Sequence, residues 1–420
     1  VIPMRYEDEV DVFKCNFFHK ASNMEILNEI KCLAGVERPV IFPMRAFSDE
    51  IIDFLNELSE RIRRNEVLRR NEEAAAFGFW CRKSHLLDMK KKYDNEENKI
   101  GLGLIFHIAP SNISTVFAYS FAIGLLSGNA NVVRISKRNS DTAMEICGLL
   151  QELFRNPKYE NIKKRTSIIT YEKNKSITDG YSDLCNGRVI WGGDKAINEI
   201  RKSPLKLMAK EIIFPNRYSL CILNTLYILN MEKEELEILA HKFYNDTYNM
   251  DQNACSSPKI IFWSGGNSKE KREAQNKWWK FVYKEASKLY NLSENKVSLK
   301  YSTLCECAIN CEEIQRVKRY DNLLYVADLK EVPANIESLN GRFGLFFQYE
   351  LINIKEIESY VNERIQTLTY AGFDKNYLIN FVIENHLKGI DRIVPIGQAL
   401  DMNVMWDGMN LIERLSRSIM

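Results

Sequence analysis

Cys255 is the side chain best placed by its surroundings to react. It stands in Asp251-Gln252-Asn253-Ala254-Cys255-Ser256-Ser257-Pro258, a polar loop of small residues just before an apolar run. A thiol in a tight loop meets main-chain N–H groups, which lower its pKa and stabilise an oxyanion growing on a bound carbonyl. On spacing alone, a structural loop cysteine is the commoner outcome. Cys147 and Cys221 lie in apolar or helical contexts, where a cysteine serves as a small hydrophobe. Cys305, Cys307 and Cys311 form C-x-C-x₃-C, but no neighbouring histidine or fourth cysteine completes a closed zinc site, and no metal is expected. His107 sits in an apolar run, where a satisfied core histidine is usual, although the adjoining Pro110–Asn112 loop keeps a site role open. The other histidines make no triad pattern with a serine, and no G-x-S-x-G elbow occurs, so serine-hydrolase chemistry lacks support.

A dinucleotide fingerprint G-x-G-x-x-G opening a helix is absent. Gly192-Gly193-Asp194 follows a strand-like run and precedes a helical one, a context in which helix N-terminal amides favour an anion such as pyrophosphate. From spacing alone, an ordinary strand-to-helix turn is the better reading.

The elements that must hold these residues follow from periodicity. Short apolar runs at Leu102–Ala109, Asn131–Ser136, Thr166–Thr170, Arg188–Trp191 and Lys259–Trp263 have strand length. Between them lie helical stretches at about Ile113–Leu126, at Ala143–Phe154 with apolar spacing i, i+3, i+4, i+7, around Leu236–Tyr244, and over Lys269–Leu289. A further helix is predicted near Leu411–Leu415. Alternating strands and helices predict parallel sheets covered on both faces, in two α/β lobes, with ligand loops at the strands' carboxyl ends.

Composition bounds the partners. The 420 residues suggest two or three domains, and 58 basic against 56 acidic side chains give a net charge of +2. That balance calls for neither nucleic acid nor a membrane surface. Ten cysteines spread over this length do not make a disulfide framework, and the first residues carry no apolar signal core, so a reducing, cytoplasmic compartment is expected. Gly101–Val133 has no charged side chain, yet Pro110, Asn112, Asn129 and Asn131 interrupt it, and no membrane span is expected.

Five stretches in register carry a resemblance: His107-Ile108-Ala109-Pro110-Ser111-Asn112; Leu125–Asn129 with Val133-Arg134-Ile135-Ser136; Trp191-Gly192-Gly193-Asp194; Gln252–Pro258; and Arg392–Gly397 with Trp406-Asp407-Gly408. From about Gly101 onward the sequence resembles the aldehyde dehydrogenase superfamily, and within it the LuxC-type acyl-CoA reductases of fatty acid reductase complexes. The resemblance implies an aldehyde dehydrogenase-like α/β fold. Residues 1–95 would be a mainly helical segment packing on the cofactor domain, 96–230 a Rossmann-like dinucleotide domain, 231–395 the thiol domain, and 396–420 a C-terminal return segment. Cys255 would be the nucleophile and Asn112 a side-chain donor to the oxyanion, beside the Cys255 main-chain N–H.

On the cofactor side, the resemblance places Gly192, Gly193 and Asp194 near the phosphates, and Arg134, Ser136 and Lys137 near the adenine ribose. Lys137 stands where NAD-preferring relatives often carry a glutamate; a cation there favours a 2′-phosphate, hence NADPH. The water-activating glutamate of hydrolytic relatives is missing: residues 212–231 hold no carboxylate, and Glu211 is the nearest. The implied reaction is NADPH-dependent reduction of a fatty acyl-CoA or acyl-protein to the aldehyde through a cysteine acyl-enzyme. An acyl-protein synthetase partner and a homo-oligomer go with it. Oxidation of aldehydes, reduction of short acyl-CoA or acyl phosphate, and a non-reducing carrier or scaffold subunit stay open, as does a general acid or base role for Glu211 or His107.

Overall fold

Short apolar strands alternate with helices along most of the chain, and the backbone pairs those strands into two sheets. The computed structural model describes residues 29–93, 98–110, 114–136 and 140–419. The chain forms two compact units, one taking in residues up to Pro215 together with Met402 onward, the other Asn216–Asp401.

In the first unit, β1 (Lys31–Gly35), β3 (Leu104–Ile108), β4 (Ala130–Ile135), β5 (Thr166–Thr170), β6 (Gly187–Trp191) and β7 (Lys210–Phe214) form a sheet ordered β1-β5-β4-β3-β6-β7. All neighbours are parallel except β1 and β5. Side chains alternate as a two-residue period demands: Ile105, Val133, Ile168 and Val189 enter one core, Leu104, Phe106, Val132 and Ile190 the other. Helix Asp49–Arg64 adds Ile51, Phe54, Leu55, Leu58 and Ile62 to the first of these cores. Residues 29–93 contribute the edge strand β1 and helices that include Asp49–Arg64. The chain's return is held by an antiparallel pair, β2 (Lys99–Gly101) with β17 (Ser416–Ser418), and by Val404, Leu411, Ile412 and Leu415 in the same core.

The second unit carries a seven-stranded sheet among the described residues. It consists of β8 (Tyr218–Asn224), β9 (Pro258–Ser264), β10 (Ile314–Tyr320), β11 (Leu324–Leu329), β12 (Leu345–Glu350), β13 (Ile365–Ala371) and β14 (Arg392–Pro395), ordered β10-β11-β12-β9-β8-β13-β14. Only β10 runs antiparallel to its neighbour. Residues 216–230, grouped with the cofactor domain from sequence, supply β8 to this sheet, because its apolar run pairs with β9 and β13. No helix among the described residues is long and apolar enough to cross a membrane.

Candidate active site

The thiol loop begins where helix Lys233–Thr247 runs into the turn Tyr248–Met250 and ends at Pro258, the first residue of β9. Proline is tolerated there because a strand's first residue need not donate to the ladder. Asp251 and Gln252 both take positive φ, 54° and 62°, an uncommon conformation for residues other than glycine that something must hold. The holding is done by hydrogen bonds on each side. The Asp251 carboxylate accepts from Tyr290 Oη at 2.6 Å and from Lys296 Nζ at 2.9 Å, while its carbonyl accepts the Phe343 N–H at 3.0 Å. The buried Gln252 amide donates to Leu345 O at 3.1 Å and Pro258 O at 3.3 Å, and its Oε1 accepts the Gly344 N–H at 3.2 Å.

Cys255 itself is half-buried. Its carbonyl accepts from Ser219 Oγ at 2.6 Å, and the same hydroxyl oxygen accepts the Thr367 N–H at 3.2 Å, tying the cysteine to β8 and β13. Ser257 Oγ donates to Asp246 O at 2.7 Å. Lys259, the next residue of β9 after Pro258, sends Nζ to Gln252 O at 2.9 Å and Gly341 O at 3.0 Å. Burial brings its pKa down to about 8, against the Cys255 sulfur, which raises it; the Arg342 guanidinium adds to the lowering. The thiol is therefore partly accessible on a loop whose main chain is fixed, the arrangement a nucleophile requires.

Of the predicted cofactor residues, Arg134, Ser136, Gly192, Gly193 and Asp194 lie at the carboxyl ends of β4 and β6 in the other unit. Gly193 caps helix Asp194–Arg201 with φ −70° and ψ 154°, which leaves the helix N-terminal amides facing the turn. Trp191 stacks on Phe214 with ring centroids 3.7 Å apart. Its indole N–H donates to Ser120 Oγ at 3.1 Å, Ser120 lies 2.7 Å from His107 Nδ1, and His107 Nε2 lies 2.9 Å from Asn131 Oδ1. An amide oxygen only accepts, so Nε2 carries the proton and Nδ1 accepts from Ser120. Burial lowers the His107 pKa to about 4, against the Asn131 bond, which raises it. His107 is thus a neutral core residue that orients Trp191 through Ser120.

Arg134 reaches Tyr171, with Nη2 3.4 Å from its carbonyl and the guanidinium 5.1 Å from its ring centroid. Its Nε is buried without a hydrogen-bond partner among the described residues. Ser136 is half-buried just past β4. Asn112 and Lys137 lie outside the described residues. Glu211 is engaged elsewhere: Oε1 pairs with the buried Arg188, and Oε2 with Arg201 at 2.9 Å. Cys305, Cys307 and Cys311 lie on helix Glu294–Asn310 and its C-cap, and no group of three or more metal-ligating side chains forms among the described residues. Sequence reasoning missed Lys259 and Ser219 and gave Gln252, although inside a quoted stretch, no role of its own. A lysine opening an otherwise apolar strand was the one available signal.

Residues 44–418 match the profile of the acyl-CoA reductase (LuxC) family. No curated protein matched the chain. Among solved structures, 1-pyrroline-5-carboxylate dehydrogenase from Thermus thermophilus is similar at TM-score 0.61 and 12% identity, over 88% of this chain and 80% of that one. The same kind of enzyme from Thermus, with bound NAD, gives 0.59 and 12%, over 87% and 79%. An NAD-dependent benzaldehyde dehydrogenase from Corynebacterium glutamicum gives 0.56 and 12%, over 88% and 82%. At such identities the likeness shows the fold, that of the aldehyde dehydrogenases.

Proposed function

Since the chain belongs to the LuxC acyl-CoA reductase family, we propose that it reduces a fatty acyl thioester to the aldehyde through an acyl-enzyme on Cys255. The observation that carries this reading is the half-buried thiol on a loop pinned from β8, β9, β12 and β13. The Cys255 thiolate attacks the carbonyl carbon of acyl-CoA or an acyl-protein. A carbon–sulfur bond forms, the π electrons move to oxygen, and collapse expels the donor's thiolate. The oxyanion is assigned to the Cys255 main-chain N–H and, by resemblance, to Asn112; loss of one such donor typically costs roughly 2.7–4 kcal/mol.

The residues at the carboxyl ends of β4 and β6 fit a dinucleotide. A glycine-capped helix start offers amides to phosphate, and Arg134 holds a buried Nε that is unpaired among the described residues. Asp194, in the same first turn, suits a hydroxyl donor and opposes a phosphate. Arg134 with Lys137 favours a 2′-phosphate, hence NADPH. When bound, the reduced nicotinamide supplies the hydride that turns the acyl-enzyme into a thiohemiacetal. Collapse of that adduct breaks the carbon–sulfur bond, returns the electron pair to Cys255 and frees the aldehyde. Residues 212–231 offer no carboxylate to activate water, and Glu211 is held by two arginines, so the thioester is spared hydrolysis. A cytoplasmic homo-oligomer supplied by an acyl-protein synthetase completes the proposal.

The test pairs Cys255→Ala with the unaltered chain. Palmitoyl-CoA should acylate Cys255, seen by peptide mass spectrometry, and NADPH should discharge it with loss of absorbance at 340 nm, faster than NADH and faster than with acetyl-CoA. The alanine variant should lose acylation and at least about 10³-fold in turnover. Retained turnover would show that the nucleophile lies elsewhere. Acylation that neither nucleotide discharges would replace the reductase with an acyl carrier.

A further inference from the structure

Reading Cys255 as the nucleophile leaves a buried charge beside it without a task. Lys259 is 6% exposed. Its two hydrogen bonds go to the carbonyls of Gln252, three residues before the thiol, and Gly341, on the loop that leads into β12. Gly341 is obligatory there, because a Cβ would collide with Leu345 O. An ammonium has three donors, and two neutral carbonyls take two of them without neutralising its charge. A buried cation is costly unless an anion faces it. Among the described residues, the Cys255 sulfur favours the Lys259 ammonium and the Arg342 guanidinium opposes it. Of the two, only the sulfur can serve as counter-ion.

We propose that Lys259 is the positioning residue of the thiol: its ammonium holds the Cys255 sulfur as thiolate and ties the two loops that frame it. The inference rests on the reading of Cys255 as nucleophile and deepens it. One cation then serves both ends of the reaction. It stabilises the thiolate that attacks, and again the thiolate that leaves when the thiohemiacetal breaks. In between, the sulfur is neutral and the ammonium lacks its counter-ion, which raises the acyl-enzyme in free energy and favours its discharge.

The experiment is alkylation of the full chain with iodoacetamide from pH 6 to 10, followed at the Cys255 peptide by mass spectrometry. The unaltered chain should show a midpoint below the ~8.5 of a free thiol. Lys259→Met should raise that midpoint by about one unit or more, hence roughly tenfold slower alkylation at pH 7, and Lys259→Arg should restore much of it. A midpoint at or above ~8.5 in the unaltered chain overturns the proposal with no variant needed. So does a folded Lys259→Met that is slower at every pH with an unchanged midpoint, the mark of a purely structural staple. Alkylation involves no acyl donor. A shifted midpoint alongside an active Cys255→Ala would therefore overturn the functional reading alone.

Discussion

At the scale of single residues, Cys255 and His107 show how location decides chemistry. Cys255 and His107 both stand beside motif stretches in the sequence, yet one thiol is half-exposed on a fixed loop and one imidazole is sealed in a core. Burial depresses His107 to about pH 4. An unfolded histidine binds its proton at about 6.5, so between these values the unfolded chain holds more protons than the folded one. The stability His107 allows is therefore present above about pH 6.5 and lost as pH falls toward 4. His107→Gln, neutral throughout, should flatten the dependence of urea unfolding on pH in that window, by roughly 3 kcal/mol across it relative to the unaltered chain. Equal slopes in the two proteins would show a histidine that is not held neutral. The thiol was legible because its loop is written in consecutive letters. Lys259 was not, since its partners at Gln252 and Gly341 meet only when β9 and β12 pair.

Elements add a second layer, seen at the end of helix Lys233–Thr247. Asp246 in its last turn accepts the Gly397 N–H at 2.6 Å and the Ala399 N–H at 2.8 Å, one on each oxygen, while its own carbonyl takes Ser257 Oγ. A single residue thus joins a helix end, the turn after β14 and the stretch that follows Cys255. Asp246→Ala leaves two N–H groups unpaired, and Asp246→Asn sets an NH₂ against one of them. At roughly 1–3 kcal/mol for each buried group left unsatisfied, both should lower the urea midpoint, alanine more. Wild-type midpoints in both would mean that water replaces the carboxylate. Strands β3 to β6 and β9 were readable from sequence because a strand flanked on both sides is apolar throughout, whereas β8, β11, β12 and β13, equally central in the second sheet, were not placed one by one. Edge strand β1 and the pair β2 with β17 were not, because an edge or a short ribbon needs few apolar residues and leaves a weak pattern.

Across the whole molecule, the two halves of the proposed chemistry belong to different units: the thiol to residues 216–401, the turns proposed to hold the nucleotide to the other. The unit bearing β3 to β7 depends on residues after Met402, whose Leu411, Ile412 and Leu415 fill its core and whose Ser416 carbonyl accepts from Lys210 Nζ at 3.1 Å. A chain ending at Asp401 should lose that unit selectively, with limited proteolysis cutting within residues 44–215 while 216–401 resists. Uniform resistance would show that the return segment is dispensable. The same arrangement orders events on the ribosome. The second unit is one uninterrupted stretch and can close as soon as it emerges, whereas the first, although translated earlier, waits with part of its interior open until the last strand arrives to seal it.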